Sequence, residues 1–100
     1  MTRAFPGDER FGLTNQMRRA AVSVSSNIAE GASRSSCLDY ARYVEIATGS
    51  VFEVVSQCFI ARNQGFLAEA DFTRLYSLAE EVGRMLSGLR TYLLSQSPNR

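Results

Sequence analysis

Eight apolar residues, Cys37, Tyr40, Val44, Ala47, Val51, Val54, Cys58 and Ala61, follow one another at alternating spacings of three and four. An unbroken series of that period fits an α-helix with one buried seam, because 3.5 residues nearly complete a helical turn. Ahead of it, Ser36-Cys37-Leu38-Asp39 fits a capping box with Asp in place of the usual Glu, and Gly65 follows its end. The spacing predicts a helix over about 37–63. Gly49 and Ser50 weaken its middle without breaking the period.

A matching alternation runs through Ala68, Phe72, Leu75, Ala79, Val82, Leu86, Leu89 and Leu93, widened by Leu78, Met85 and Tyr92 beside it. It predicts a helix over about 68–94, with no Ser or Thr cap to fix its start. The tail at 95–100, with Pro98, is expected to fray. Upstream, Met17, Ala21, Val24 and Ile28 form a shorter stripe, which Thr14 can cap and Gly31 can end in the left-handed conformation, giving about 14–30. Pro6, Gly7 and Gly12 mark 1–13 as an irregular connector. No period-2 strand competes. The chain is expected to be all-α, one domain over 1–100, an antiparallel bundle of the four-helix-bundle type with three helices encoded. Two wide apolar faces against one short stripe do not close a core, so an exposed groove is expected.

Composition narrows the function classes. All eleven basic residues are Arg, with no Lys and no His, and the formal net charge is +1. Six Arg oppose five acids in residues 1–50, and five oppose five in the rest, so no basic or acidic tail announces nucleic acid or membrane. Without His, a general base near neutral pH would have to be a perturbed carboxylate. Neither Cys has a His partner, no Gly-rich phosphate loop follows a strand, and Glu80 and Glu81 point about 100° apart on a helix. No enzyme, metal site or cofactor is expected. On one helix, Cys37 and Cys58 stand roughly 30 Å apart, out of disulfide reach, and read as buried thiols of a reducing compartment. No apolar run looks long enough to span a bilayer and 1–13 has no signal-peptide core, so the expected place is the cytoplasm.

The first helix poses its own question. Off its stripe, Asn15–Arg34 is mostly Ala, Ser and Asn, where a solvent face usually carries long Lys, Glu or Arg. Gln16, Ala20, Ser23 and Asn27 form a flanking seam of small or amide side chains. That seam is either a polar solvent face or a second packing surface, since small residues let another backbone come close. Glu30 sits at the helix C-terminus, where the macrodipole disfavours a carboxylate, and Arg34 is the nearest partner for it.

From FPGDERFGLTNQMRRAAVSVSSNIAEGASRSS through DYARYVEIATGSVFEV to EVGRMLSGLR, the chain resembles a bacterial family of four-helix-bundle proteins. Its founding members are encoded in intervening sequences of large-subunit ribosomal RNA genes. A related branch is the accessory protein of diversity-generating retroelements. The resemblance covers the chain after residue 4, with ERFGLTxQMRRAAxSxxxNIAEGxxR as its core. It implies antiparallel helices, ring-like pentamers and no enzymatic activity, with Asn27, Glu30 and Gly31 as structural signature residues. Family members carry a further amphipathic helix ahead of FPxxERFGL, and this chain starts at that connector. Ring formation favours a neighbouring subunit as what Gln16, Ala20, Ser23 and Asn27 face.

Arg18, Arg19 and Arg34, joined by Arg10, are candidates for a phosphate patch, although structural ion pairs with Asp8, Glu9 and Glu30 suit them better. Repetition around a ring would multiply a small local charge. Tyr40, Tyr43, Phe52, Phe59, Phe72, Tyr76 and Tyr92 fall at helical spacing and suit core and interface better than base stacking. The expected function is a non-enzymatic, homo-oligomeric scaffold that binds RNA or a nucleic-acid-processing protein. The alternative is a structural or protein-interaction oligomer with no nucleic-acid role.

Overall fold

The computed structural model describes residues 6–96, without the side chains of 6–11, 13 and 14. Three α-helices make up that range: α1 Pro6–Ala32, α2 Cys37–Asn63 and α3 Glu69–Gln96, with no strand among the described residues. The stretch expected to be irregular is helical from Pro6 onward, and Thr14 lies inside α1 instead of capping it. Proline suits a first turn, since its φ is fixed near the helical value and the N–H it lacks has no intrahelical partner there.

The ends of α2 follow from local chemistry. Ser36 caps it, its Oγ accepting from the Asp39 N–H at 3.0 Å. At the other end the Gly65 N–H reaches the Arg62 carbonyl at 3.0 Å and the Phe66 N–H reaches that of Ala61 at 2.8 Å, a Schellman closure. That closure needs a left-handed residue, and Gly65 supplies it at φ 78°. α3 starts on the Ala68 carbonyl, which accepts from Phe72 N–H at 2.8 Å. Glu69 and Asp71 in its first turn favour the positive end of the helix dipole.

Each turn reverses the chain. Ser23 of α1 meets Ser50 of α2, and Glu45 of α2 meets Arg90 of α3, so sequence neighbours run antiparallel. Val44 and Ala47 of α2 are fully buried and form one core with Ala41, Val51, Leu86 and Leu93. Each buried Leu there is worth about 1.5–3 kcal/mol. At the α2–α3 turn, Phe59, Phe72 and Tyr76 pack with centroids 5.0–5.9 Å apart, and the Arg62 guanidinium lies 4.1 Å over Phe72.

α2 is the middle helix. No Cα of α1 comes within 8 Å of one in α3 among the described residues, so the two outer helices pack on α2 and not on each other. The result is a curved layer of 60 × 23 × 17 Å, open on one side. Central position also explains the composition of α2. Its 18-residue window of mean hydropathy 1.4 is long and apolar enough to cross a membrane by length and composition alone, which corrects the sequence expectation. A helix packed on two sides is apolar around more of its circumference than a surface helix.

Candidate functional site

The open side of the layer is a groove between α1 and α3 with α2 as its floor. Ala21, Val24 and Ile28 of α1 form one wall, Val51 and Val54 the floor, and Leu75, Leu78, Val82, Met85 and Leu89 the other wall. The α1 apolar stripe read from sequence thus faces the groove, with Val24 and Ile28 half-buried. Two groove-lining residues of α3 stay largely in solvent, Leu78 at 51% and Met85 at 66%, and Tyr92, one heptad further, is 59% exposed. An uncovered apolar strip of that length is unusual on a soluble monomer.

The small seam is what docks α1 on α2. Among the described side chains, Ala20 and Gly31 are the buried residues of α1, and both are small. Between them, Asn27 Nδ2 donates to the Ser23 carbonyl at 2.8 Å and Ser23 Oγ at 3.1 Å, while Ser50 Oγ of α2 donates to Ser23 Oγ at 2.8 Å. Ala20 and Ser23 of the seam thus pack against α2. Within the chain, Ala20 is buried and Ser23 bonds Ser50 of α2, half-buried Asn27 bonds Ser23, and Gln16, one turn earlier, is exposed. Gly31 is reassigned. It has no positive φ and lies within α1. A Cβ on it would stand 2.7 Å from Tyr40 Cδ1 and 2.8 Å from Tyr43 Cβ, so glycine is there for close helix approach.

Just past this contact, Arg34 Nη2 bonds Glu30 Oε2 and the Tyr43 hydroxyl, each at 2.6 Å, with its guanidinium 4.9 Å over the Tyr43 ring. Glu30 has Arg34 as its partner. Glu30 and Gly31 therefore act at one place, the corner where α1 turns into α2, while Asn27 bonds Ser23 one turn back along α1. The structure does not gather the arginine patch. Arg18 and Arg19 are exposed toward the start of α1, whereas Arg34 lies beyond its other end, about 20 Å away, and is engaged in the corner. The Arg10 side chain falls outside the described residues.

For covalent or metal chemistry the described residues offer little. Burial pushes the Cys58 thiol up from its ordinary 9.0, away from thiolate reactivity. Cys37 is half-buried and Cys58 buried, both as free thiols. No group of three or more His, Cys, Asp or Glu among the described residues could hold a metal ion. Sequence reading missed Gln57, buried on α2 with its Oε1 unbonded; it stands one heptad beyond Ser50, on the α1 side, where a polar residue gives no periodic signal.

No curated protein matches the chain closely enough to count as a relative. The family described as 23S rRNA-intervening sequence protein matches residues 1–88, which take in α1, the α1–α2 corner, α2 and most of α3. A match over that span covers both helix interfaces and the groove between them, and by it the chain belongs to the 23S rRNA-intervening sequence protein family.

Proposed function

We propose that this chain is a non-enzymatic, homo-oligomeric scaffold of the cytoplasm that binds a macromolecular partner by taking one of its amphipathic helices into the α1–α3 groove. A nucleic-acid-processing protein is the partner that best joins this groove to the family. The groove carries the reading: its walls are two helices whose Cα atoms nowhere come within 8 Å among the described residues, and its lining is Val, Leu, Ile, Met and Ala with Ser25 at one edge. Such a trough accepts the i, i+3, i+4, i+7 face of one more helix. Arg18 stands on the same side of α1 as Ser25 and Ala29, at the rim, and favours an acidic residue beside the partner's apolar stripe. A chain without His, whose buried thiol is held protonated, supports the non-enzymatic part.

The test is titration of a labelled amphipathic helical peptide with Leu on one face and Glu along its flank. Saturable binding is expected, weakened more than about tenfold by Leu78→Glu or Met85→Glu. Both side chains are exposed, so the variants should keep their helix content. Binding indifferent to both substitutions would refute the groove.

RNA is the second partner class. Arg18 and Arg19 are exposed and pair with no described carboxylate, and the family description itself concerns 23S rRNA. Phosphate contact by these residues predicts affinity for generic RNA that falls as salt rises from about 50 to 200 mM. A flat response removes RNA and leaves a purely protein-binding scaffold.

A further inference from the structure

A second trough lies between α2 and α3 on the side of the layer away from the groove. Thr48 and Phe52 of α2 form one wall, and Tyr76, Glu80, Gly83 and Ser87 of α3 the other. Phe52 stands 68% exposed. Glycine inside a helix is disfavoured relative to alanine, and a Cβ at Gly83 would meet nothing within 4 Å. Nothing in the chain's own packing asks for glycine there. Glu80 and Arg84 are spaced in the order that favours an i, i+4 ion pair. Both line the trough instead, and neither bonds another described residue.

The outward edge of α1 is equally unoccupied. Asn15, Arg19, Val22 and Ser26 recur at spacings of four, three and four, and all are exposed. Val22 shows 56% of its surface there. Arg19 borders a polar cleft with Gln16 and Glu53 but pairs with no described carboxylate.

We propose that this edge of α1 seats in the α2–α3 trough of a second copy. Tyr76, Glu80, Gly83 and Ser87 repeat the four-three-four spacing of the edge, so α1 laid parallel to the second copy's α3 brings the two series level. Arg19 then meets the second copy's Glu80, and Val22 enters the room above its Gly83. Phe52 is level with Gly83, because the antiparallel helices are fixed in register by Glu45 on Arg90, and so closes over Val22. Arg84, a turn beyond Glu80, comes beside the uncharged stretch from Val22 to Ser26. Reversed, the same edge would put Val22 on Glu80 and Arg19 beside Arg84, which like charges oppose. The two surfaces are different parts of the chain, so the contact is heterologous. Each copy offers one surface to the copy before it and the other to the copy after, building a ring or an open filament. The inference rests on the homo-oligomeric reading and adds which surfaces meet.

Mixing two blocked chains tests it, by light scattering with circular dichroism to follow helix content. Val22→Glu spoils only the α1 edge, and Gly83→Leu fills only the trough; Phe52→Glu repeats the trough block at an exposed position. The wild type should be oligomeric, and each variant alone should associate at least about tenfold more weakly with helix content retained. Mixed in equal amounts, Val22→Glu and Gly83→Leu chains should form a one-to-one complex that grows no further, since one intact trough meets one intact edge. Arg19→Glu and Glu80→Arg should each weaken the oligomer, and the chain carrying both should regain it. A wild-type oligomer that ignores the blocks, or blocked chains that stay apart on mixing, overturns this contact and leaves the homo-oligomeric reading standing. A wild-type monomer at the highest accessible concentration overturns both.

Discussion

Replacing Gly31 by alanine asks the α1–α2 corner for room it does not have. The new Cβ would lie 2.7 Å from Tyr40 Cδ1, 2.8 Å from Tyr43 Cβ and 3.2 Å from Tyr40 Cε1. Neither neighbour yields easily. Tyr43 Cβ is fixed to the α2 backbone, and the Tyr40 ring packs on the core formed by Ala41, Val44 and Leu93. Relief therefore means moving α1 off α2 by several tenths of an ångström, which also stretches the Ser23–Ser50 bond. Overpacking of this kind costs about 1–3 kcal/mol. The better helix propensity of alanine returns about 0.5–1 kcal/mol. The expected net loss is up to about 2.5 kcal/mol and centres near about 1 kcal/mol, or roughly 4–8 °C in Tm for a chain of this size. Gly88 is the control, since its Cβ would meet nothing within 4 Å, and Gly88→Ala should gain up to about 1 kcal/mol. Urea unfolding followed by circular dichroism gives both values on one scale. If Gly31→Ala is as stable as Gly88→Ala, the glycine is not there for close approach and the account of the corner is wrong.

Three further outcomes follow from the same geometry. Ala20→Leu should lower unfolding stability by about 1–3 kcal/mol because Ala20 is buried against α2; unchanged unfolding with altered mass would return the seam to a subunit interface. Arg34→Ala removes two 2.6 Å contacts, yet the groups are exposed, so urea unfolding should register a loss below about 1 kcal/mol. Burial raises the Cys58 thiol, so in alkali the unfolded chain releases that proton before the folded one does. Its contribution is full below the ordinary value of 9.0 and is lost as pH rises through the raised one. Wild-type stability should therefore fall more steeply between about pH 8 and 10 than that of Cys58→Ala; parallel slopes would show the thiol free of burial effects.

Much of this fold is written in periodicity. The 3–4 series from Cys37 to Ala61 places α2, its cap and its core seam, because a half-buried helix repeats one kind of residue on one face. The beginning of α1 was illegible for a local reason: Pro6 and Gly12 read as breakers, although proline is at home in a first turn and Gly12 is carried by the helix around it. The groove could be anticipated from apolar faces too wide for three helices. What periodicity could not show was which face of α1 touches α2. Hydrophobicity pointed to Val24 and Ile28, which pack half-buried against the core, whereas the fully buried contacts are at Ala20 and Gly31, since backbone proximity rewards small size over apolar area. Residue type likewise suggested an arginine cluster. The length of α1 disperses it.

That the outer helices share only α2 has a consequence for how the molecule opens. Two interfaces in series behave like a short repeat array, whose stability is a sum of nearest-neighbour terms. α1 can detach while α2 and α3 stay paired, and α3 can detach while α1 stays. Amide hydrogens of α2, clasped from both sides, should exchange last, and those of the outer helices earlier and independently of one another. A helix seated in the groove would touch both flanks at once and close the series into a loop. Occupancy there should slow exchange in α1 and α3 together and merge two separate openings into a single cooperative one.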